Sequence, residues 1–186
     1  LDGGNINDGT FNQLAYEGAV AGCTAALSCC LEVDVVDDDI EDAATRFFCE
    51  LEYAAQDSNM VVGVGFLHEA SVHRAAYCMQ STSFAIVDVA YFGAGATNPN
   101  LEGLIFADDQ AGYLAGVIAG SVSTGLTKKV GVIGGLPIPP VMRFITGFEH
   151  GVMYACHDCS TTAIYCPFGG ATEATTGLAC PGEFAD

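Results

Sequence analysis

Short apolar runs alternate with longer stretches of helical periodicity along most of this 186-residue chain, and no other feature restricts the fold as much. Met60-Val61-Val62-Gly63-Val64 ends at Gly65, Phe84-Ala85-Ile86-Val87 ends at Asp88, and Val130-Gly131-Val132-Ile133 ends at Gly134-Gly135. Runs of this length that are apolar at every position suit strands buried on both faces. Leu31–Val36, Leu101–Phe106 and Thr162–Tyr165 are further strand candidates. Between them, Ala44, Phe47, Phe48, Leu51 and Ala55 recur at helical spacing, as do Val141, Phe144, Ile145, Phe148 and Val152 behind Pro139-Pro140.

Helices are also expected over 69–79, 109–123 and 171–178. Thr10 is placed to cap a first helix reaching Ser28, with Gln13 completing a capping box and Phe11, Leu14, Gly18, Ala21 and Ala25 along one face. The order predicts an α/β fold, with three-layer α/β/α lobes around parallel sheets. The polar stretch Ser121–Lys129 holds a glycine and both lysines, and sets a lobe boundary at 126/127: a first lobe over 1–126 and the start of a second over 127–186.

Charge restricts the partners. Five Lys and Arg stand against 23 Asp and Glu, a formal net charge of −18, which repels phosphate backbones and anionic lipid heads and excludes nucleic acid as a partner. The acidic run Asp37-Asp38-Asp39 lacks the spacing of a dedicated calcium loop and reads as a solvated face. No stretch approaches the roughly 20 apolar residues of a membrane span, so the chain as given reads as soluble. It opens at Leu1-Asp2-Gly3-Gly4 without a signal peptide, as a mature or truncated chain would.

Nine cysteines point to an oxidising compartment and structural disulfides. Cys156-His157-Asp158-Cys159 has the spacing shared by redox motifs and half of many zinc sites, but a second such pair is absent, and Cys166 and Cys180 lie nearby as plausible disulfide partners. An odd count leaves one thiol for a bond to another molecule. His68 and His73 are five apart, not at the spacing of H-E-x-x-H, and are read as surface residues; His150 is read the same way. No phosphate loop, nucleophile elbow or zincin motif is present, so the chain is read as no enzyme and without a cofactor.

In open parallel sheets ligands bind at the carboxyl ends of the strands. Here those ends carry Asp2, Gly65-Phe66, Asp88, Gly134-Gly135 and Cys166-Pro167-Phe168. Carboxylates accept from sugar hydroxyls, aromatic faces hold a planar ring and glycines admit close approach, so a small polar ring compound is the expected ligand.

Several longer strings then resemble one family. Asp2-Gly3-Gly4 through Asn7-Asp8 and Thr10-Phe11-Asn12-Gln13, the strand ends above, Asn100-Leu101-Glu102-Gly103, Phe106-Ala107-Asp108-Asp109-Gln110-Ala111-Gly112-Tyr113 and Lys129-Val130-Gly131-Val132-Ile133-Gly134-Gly135 occur in the order of the basic membrane lipoproteins, which include purine nucleoside receptors. The resemblance implies a type I periplasmic-binding-protein fold whose two lobes close on a purine nucleoside. Carried over position by position, it implies ligand-binding roles for Asp2, Phe11, Asn12, Asp88 and Phe168. It also implies an extracellular or cell-surface protein that works with a membrane transporter or receptor. The family's later strands and its later acidic and lysine contacts have no counterpart here, so the second lobe is expected to be incomplete. A second reading makes the chain a structural subunit of an extracellular assembly, a homo-oligomer joined by disulfides.

Overall fold

The computed structural model describes residues 6–26, 31, 43–91, 98–123 and 128–165. Asp2, Phe168, the expected strand at 31–36 and the expected helix at 171–178 lie outside them, Leu31 apart. The chain separates into two compact units, Leu1–Ile105 and Phe106–Asp186.

The first unit contains helix α1 (Phe11–Ala26), α2 (Ala43–Asp57), strand β1 (Met60–Val64), a 3-10 turn (Phe66–His68), α3 (Glu69–Cys78), β2 (Ser83–Val87) and β3 (Leu101–Leu104). All three strands are parallel in the order β1-β2-β3, with Val64 paired to Val87 and Val87 to Leu104. Of the three, β2 is buried from Phe84 to Val87, as a continuous apolar strand of a covered parallel sheet must be, whereas Met60 and Val62 of β1 and Leu104 of β3 are exposed, so these two strands are covered only in part. Phe84 and Ile86 of β2 are sealed against Val72, Ala75 and Ala76 of α3 and Phe47, Phe48, Leu51 and Ala55 of α2. Gly63 sits inside β1 because a Cβ there would stand 2.7 Å from Val72 Cγ2.

The amino ends of β2 and β3 are tied by side-chain amides. Asn100 Nδ2 donates to the carbonyls of Ala76, Met79 and Thr82 at 3.0, 3.2 and 2.9 Å, and Thr82 Oγ1 donates to Ala55 O at 2.9 Å. Buried carbonyls at the end of α3 thereby find partners that the helix itself does not supply. This anchoring leaves the opposite, carboxyl edge of the sheet to carry the loops.

The start of α1 differs from the expected capping box. Asp8, not Thr10, is the acceptor: its Oδ1 takes the N–H of Thr10 at 2.8 Å and of Gln13 at 3.2 Å, and its Oδ2 that of Asn12 at 3.2 Å. Gln13 reaches back to the N–H of Gly9 at 2.9 Å. A carboxylate two residues upstream satisfies more orphan donors than one hydroxyl can, which is why it displaces Thr10. These bonds, the Thr10 N–H foremost, hold the Asp8 carboxyl below its ordinary value. The face named from Phe11 to Ala25 is exposed among the described residues, and Asn12 is the buried residue of this helix.

The second unit contains α4 (Asp108–Val122), β4 (Lys129–Gly134), α5 (Pro139–Ala155) and β5 (Ser160–Tyr165), with β4 and β5 paired in parallel. Pro139 and Pro140 open α5 as the sequence suggests. Ile145 and Val152 are buried, whereas Phe144 is 46% exposed and leaves the expected stripe. Where the polar stretch sets a boundary at 126/127, the compact units divide after Ile105, and α4 accounts for the difference. Its Gly112 and Gly116 lie against the backbone of Phe144 and Phe148; a Cβ on either would stand 2.1 or 2.0 Å from a carbonyl oxygen. Gly147 and Gly151 of α5 meet Asp109 and Tyr113 of α4 in the same way. Arg143 closes one end of the pair, donating to Asp108 Oδ2 from Nε at 3.1 Å and Nη2 at 2.8 Å.

Candidate ligand-binding site at the strand ends

Parallel register fixes which residues share an edge. Because Val64, Val87 and Leu104 are paired across the sheet, Gly65 and Asp88 leave neighbouring strands side by side at the carboxyl edge. Each turns sharply there. Gly65 has φ 114°, and Asp88 has φ 68°, a left-handed conformation that a non-glycine residue adopts at a cost of about 1–3 kcal/mol. Aspartate tolerates it better than most residues, since its short polar side chain bonds locally. The Asp88 N–H is held by Leu104 O at 2.8 Å, so the backbone of this half-buried residue is fixed by the sheet.

The chain after Asp88 runs directly across β3. A Cβ on Gly103 would stand 2.2 Å from Val89 O, so only glycine lets this segment lie so close. Tyr91 follows with its hydroxyl buried, and burial first, then the charge of Glu69, pushes its pKa up to about 12. Its phenol therefore stays protonated throughout the physiological range.

Register brings Gly65 and Asp88 together but does not itself position α1. Phe11 stands at the first residue of α1 and is 40% exposed, an available ring; Asn12 beside it is 5% exposed. A buried asparagine on a helix whose apolar side chains face outward is the reverse of what burial of hydrophobic surface produces. Asp2 and Phe168 lie outside the described residues.

His68 corrects the surface reading. It is 6% exposed and stacks on Phe47, with ring centroids 3.6 Å apart and planes 16° from parallel. It lies in the turn just after Gly65. Its partner comes from α2, twenty-odd positions earlier, and local spacing carries no sign of that. His150 is exposed, as expected.

Cys156 and Cys159 form a disulfide with each other. Joined sulfurs are not zinc ligands. The cysteines also close the carboxyl end of α5, where the helix dipole disfavours a thiolate, the opposite of the helix amino terminus that activates redox pairs. The bridge spans the turn into β5, inside which Asp158 pairs with Lys128 ahead of β4. Cys23 of α1 is also disulfide-bonded.

Comparison with known proteins gives the family and the fold. A family profile described as ABC transporter substrate-binding protein PnrA-like matches residues 1–167. The nucleoside-binding protein BmpA of an ABC transporter in Lactococcus lactis is 28% identical over 151 residues, covering 81% of this chain and 41% of its own length. Basic membrane protein A of Borreliella afzelii is 25% identical over 162 residues, covering 86% and 48%. Among solved structures, an ABC transporter solute-binding protein of Aeropyrum pernix superimposes with a TM-score of 0.67 at 26% identity, over 88% of this chain and 45% of that one. A second, from Conexibacter woesei, gives 0.59 at 27% identity, over 88% and 52%. The chain thus spans less than half the length of the curated relatives named here. It belongs to the family of PnrA-like substrate-binding proteins of ABC transporters.

Proposed function

We propose that the chain is the nucleoside-recognising part of a non-catalytic, cell-surface solute-binding protein, that its solute is a purine nucleoside, and that it delivers this ligand to a membrane transporter. The observation that carries this reading is Asp88. It stands at a strand end in a left-handed conformation, its N–H fixed by Leu104, beside the glycine turn of the neighbouring strand. Conformational cost of this kind collects where a side chain must be aimed at a ligand.

In this reading Asp88 accepts from the ribose hydroxyls, Phe11 stacks on the base, and Asn12 with Asp2 meets the base edge. Phe168 is the remaining ring that the family's pattern assigns. The BmpA relative is described as nucleoside-binding, which supports the ligand class. The formal charge of −18 supports a nucleoside over a nucleotide, whose phosphates it repels.

Titration calorimetry of the full chain with adenosine, guanosine and inosine tests the proposal. Binding of at least one, weakened by about 1–3 kcal/mol in Phe11→Ala and abolished or nearly so in Asp88→Ala, is the expected result. A Phe11→Ala protein with an unchanged Kd removes that ring from the site. No heat with any nucleoside, from a protein that keeps its secondary structure, overturns the ligand class.

A further inference from the structure

We propose that the groove between α4 and α5 is a second binding site, and that its ligand is a primary alkylamine in the ammonium form. The groove exists because Gly147 has no side chain: it lies against the Asp109 carbonyl, where a Cβ would stand 2.0 Å from the oxygen. That close approach leaves a cavity of about 500 Å³, with Asp109 and Tyr113 of α4 on one side and Thr146 and His150 of α5 on the other. Each pair is four residues apart, so each wall is built from successive turns of one helix face. The volume suits a small organic ligand. All the lining residues belong to the second unit, whereas Gly65 and Asp88 belong to the first.

The polar groups of the groove call for a donor. Asp109 is a carboxylate, and Thr146 already donates its hydroxyl hydrogen to Met142 O at 2.9 Å, which leaves its oxygen to accept. The neutral His150 ring has one nitrogen that accepts as well. Neither helix supplies a cation to match them. Arg143 is the one Lys or Arg on α4 and α5, and it is already held by Asp108. An ammonium group brings three N–H donors and a positive charge for Asp109.

The apolar part of the lining selects the rest of the ligand. Leu114, which is exposed, and the Tyr113 ring offer surface to an alkyl chain, and the Tyr154 ring braces Tyr113 with 6.0 Å between centroids. A tyrosine face also attracts the ammonium itself. A metal ion is a poorer fit. One carboxylate and one imidazole fall short of a coordination set, and among the described residues no three metal-ligating side chains stand together. The charge of −18 draws cations to the whole surface; the groove adds acceptors and an apolar wall at one place.

Saturation-transfer difference NMR of the full chain with n-hexylamine tests the proposal, with n-hexanol and n-hexanoate as the neutral and anionic counterparts. Hexylamine should bind saturably, hexanol about tenfold more weakly and hexanoate not at all. Asp109→Asn should weaken hexylamine about tenfold and Tyr113→Leu about two- to fivefold, each with the helix content of the wild type by circular dichroism. Glu102→Gln, which removes one negative charge from β3 in the first unit, should leave the Kd unchanged. Three outcomes would each overturn the proposal: no saturable binding of hexylamine, hexanol bound as tightly as hexylamine, or equal losses in Asp109→Asn and Glu102→Gln. The last would reduce the binding to diffuse attraction by the acidic surface.

Discussion

Helices α1 and α4 look alike in sequence and differ in what surrounds them. Both are apolar and both space small residues four apart: Gly18 and Gly22 in α1, Gly112, Gly116 and Gly120 in α4. On α4 those glycines are the contact, with carbonyls of Phe144 and Phe148 lying where a Cβ would stand. On α1 a Cβ added at Gly18 or Gly22 meets nothing within 4 Å among the described residues. A run of small residues thus records that a helix can be approached closely; it does not record that anything approaches. What distinguishes α4 lies on its partner, since α5 answers with Gly147 and Gly151 at the matching turns.

Substitutions of opposite sign follow from the contrast. Gly116→Ala should cost about 3 kcal/mol, the upper range for overpacking, because the new methyl meets backbone that cannot rotate away. A urea midpoint equal to the wild type's would show that the two helices separate freely. Gly18→Ala should instead stabilise by about 0.5–1 kcal/mol, the helix-propensity gain at an open position. Should it destabilise, the glycine face of α1 is covered, and the contrast fails.

Acid should act on α1 with the smallest effect of the three. The Asp8 carboxyl is held below its ordinary 3.8 when folded, so its contribution is complete above that value and fades as pH falls through the lower folded one. Circular dichroism should show more helix in the wild type than in Asp8→Asn above that window, with the wild type losing helix more steeply through it until the two curves converge. Superimposable curves would mean that Asp8 does not hold the start of α1.

Much of the sheet was legible because its signals are local. A run such as Phe84–Val87 is too apolar to face water and too short for a helix, and Asp88 marks its end by being charged. The α2 stripe from Phe47 to Ala55 was legible too, since helical periodicity alone selects one face, and that face is buried. His68 was not. Nothing in its neighbourhood foretells Phe47, and the burial that makes it a core residue comes from a helix that folds back on it. The division after Ile105 escaped for a related reason: a polar stretch marks where chain is exposed, whereas a unit's edge is set by what each helix packs against. The candidate site divides similarly. Asp88 follows from strand-end reasoning, but its left-handed conformation and the hold of Leu104 on its N–H belong to the assembled sheet.

Carbonyl-against-glycine contact at Gly112, Gly116, Gly147 and Gly151 leaves no side chain at those four points to absorb a small displacement between α4 and α5. The two rods can stay in register or shift by a whole glycine repeat of four residues, about 6 Å along the axis, and the positions between are blocked. The Arg143–Asp108 end and the turn that Cys156 and Cys159 clamp shut are thus joined by a pair of helices whose backbones lock directly against each other.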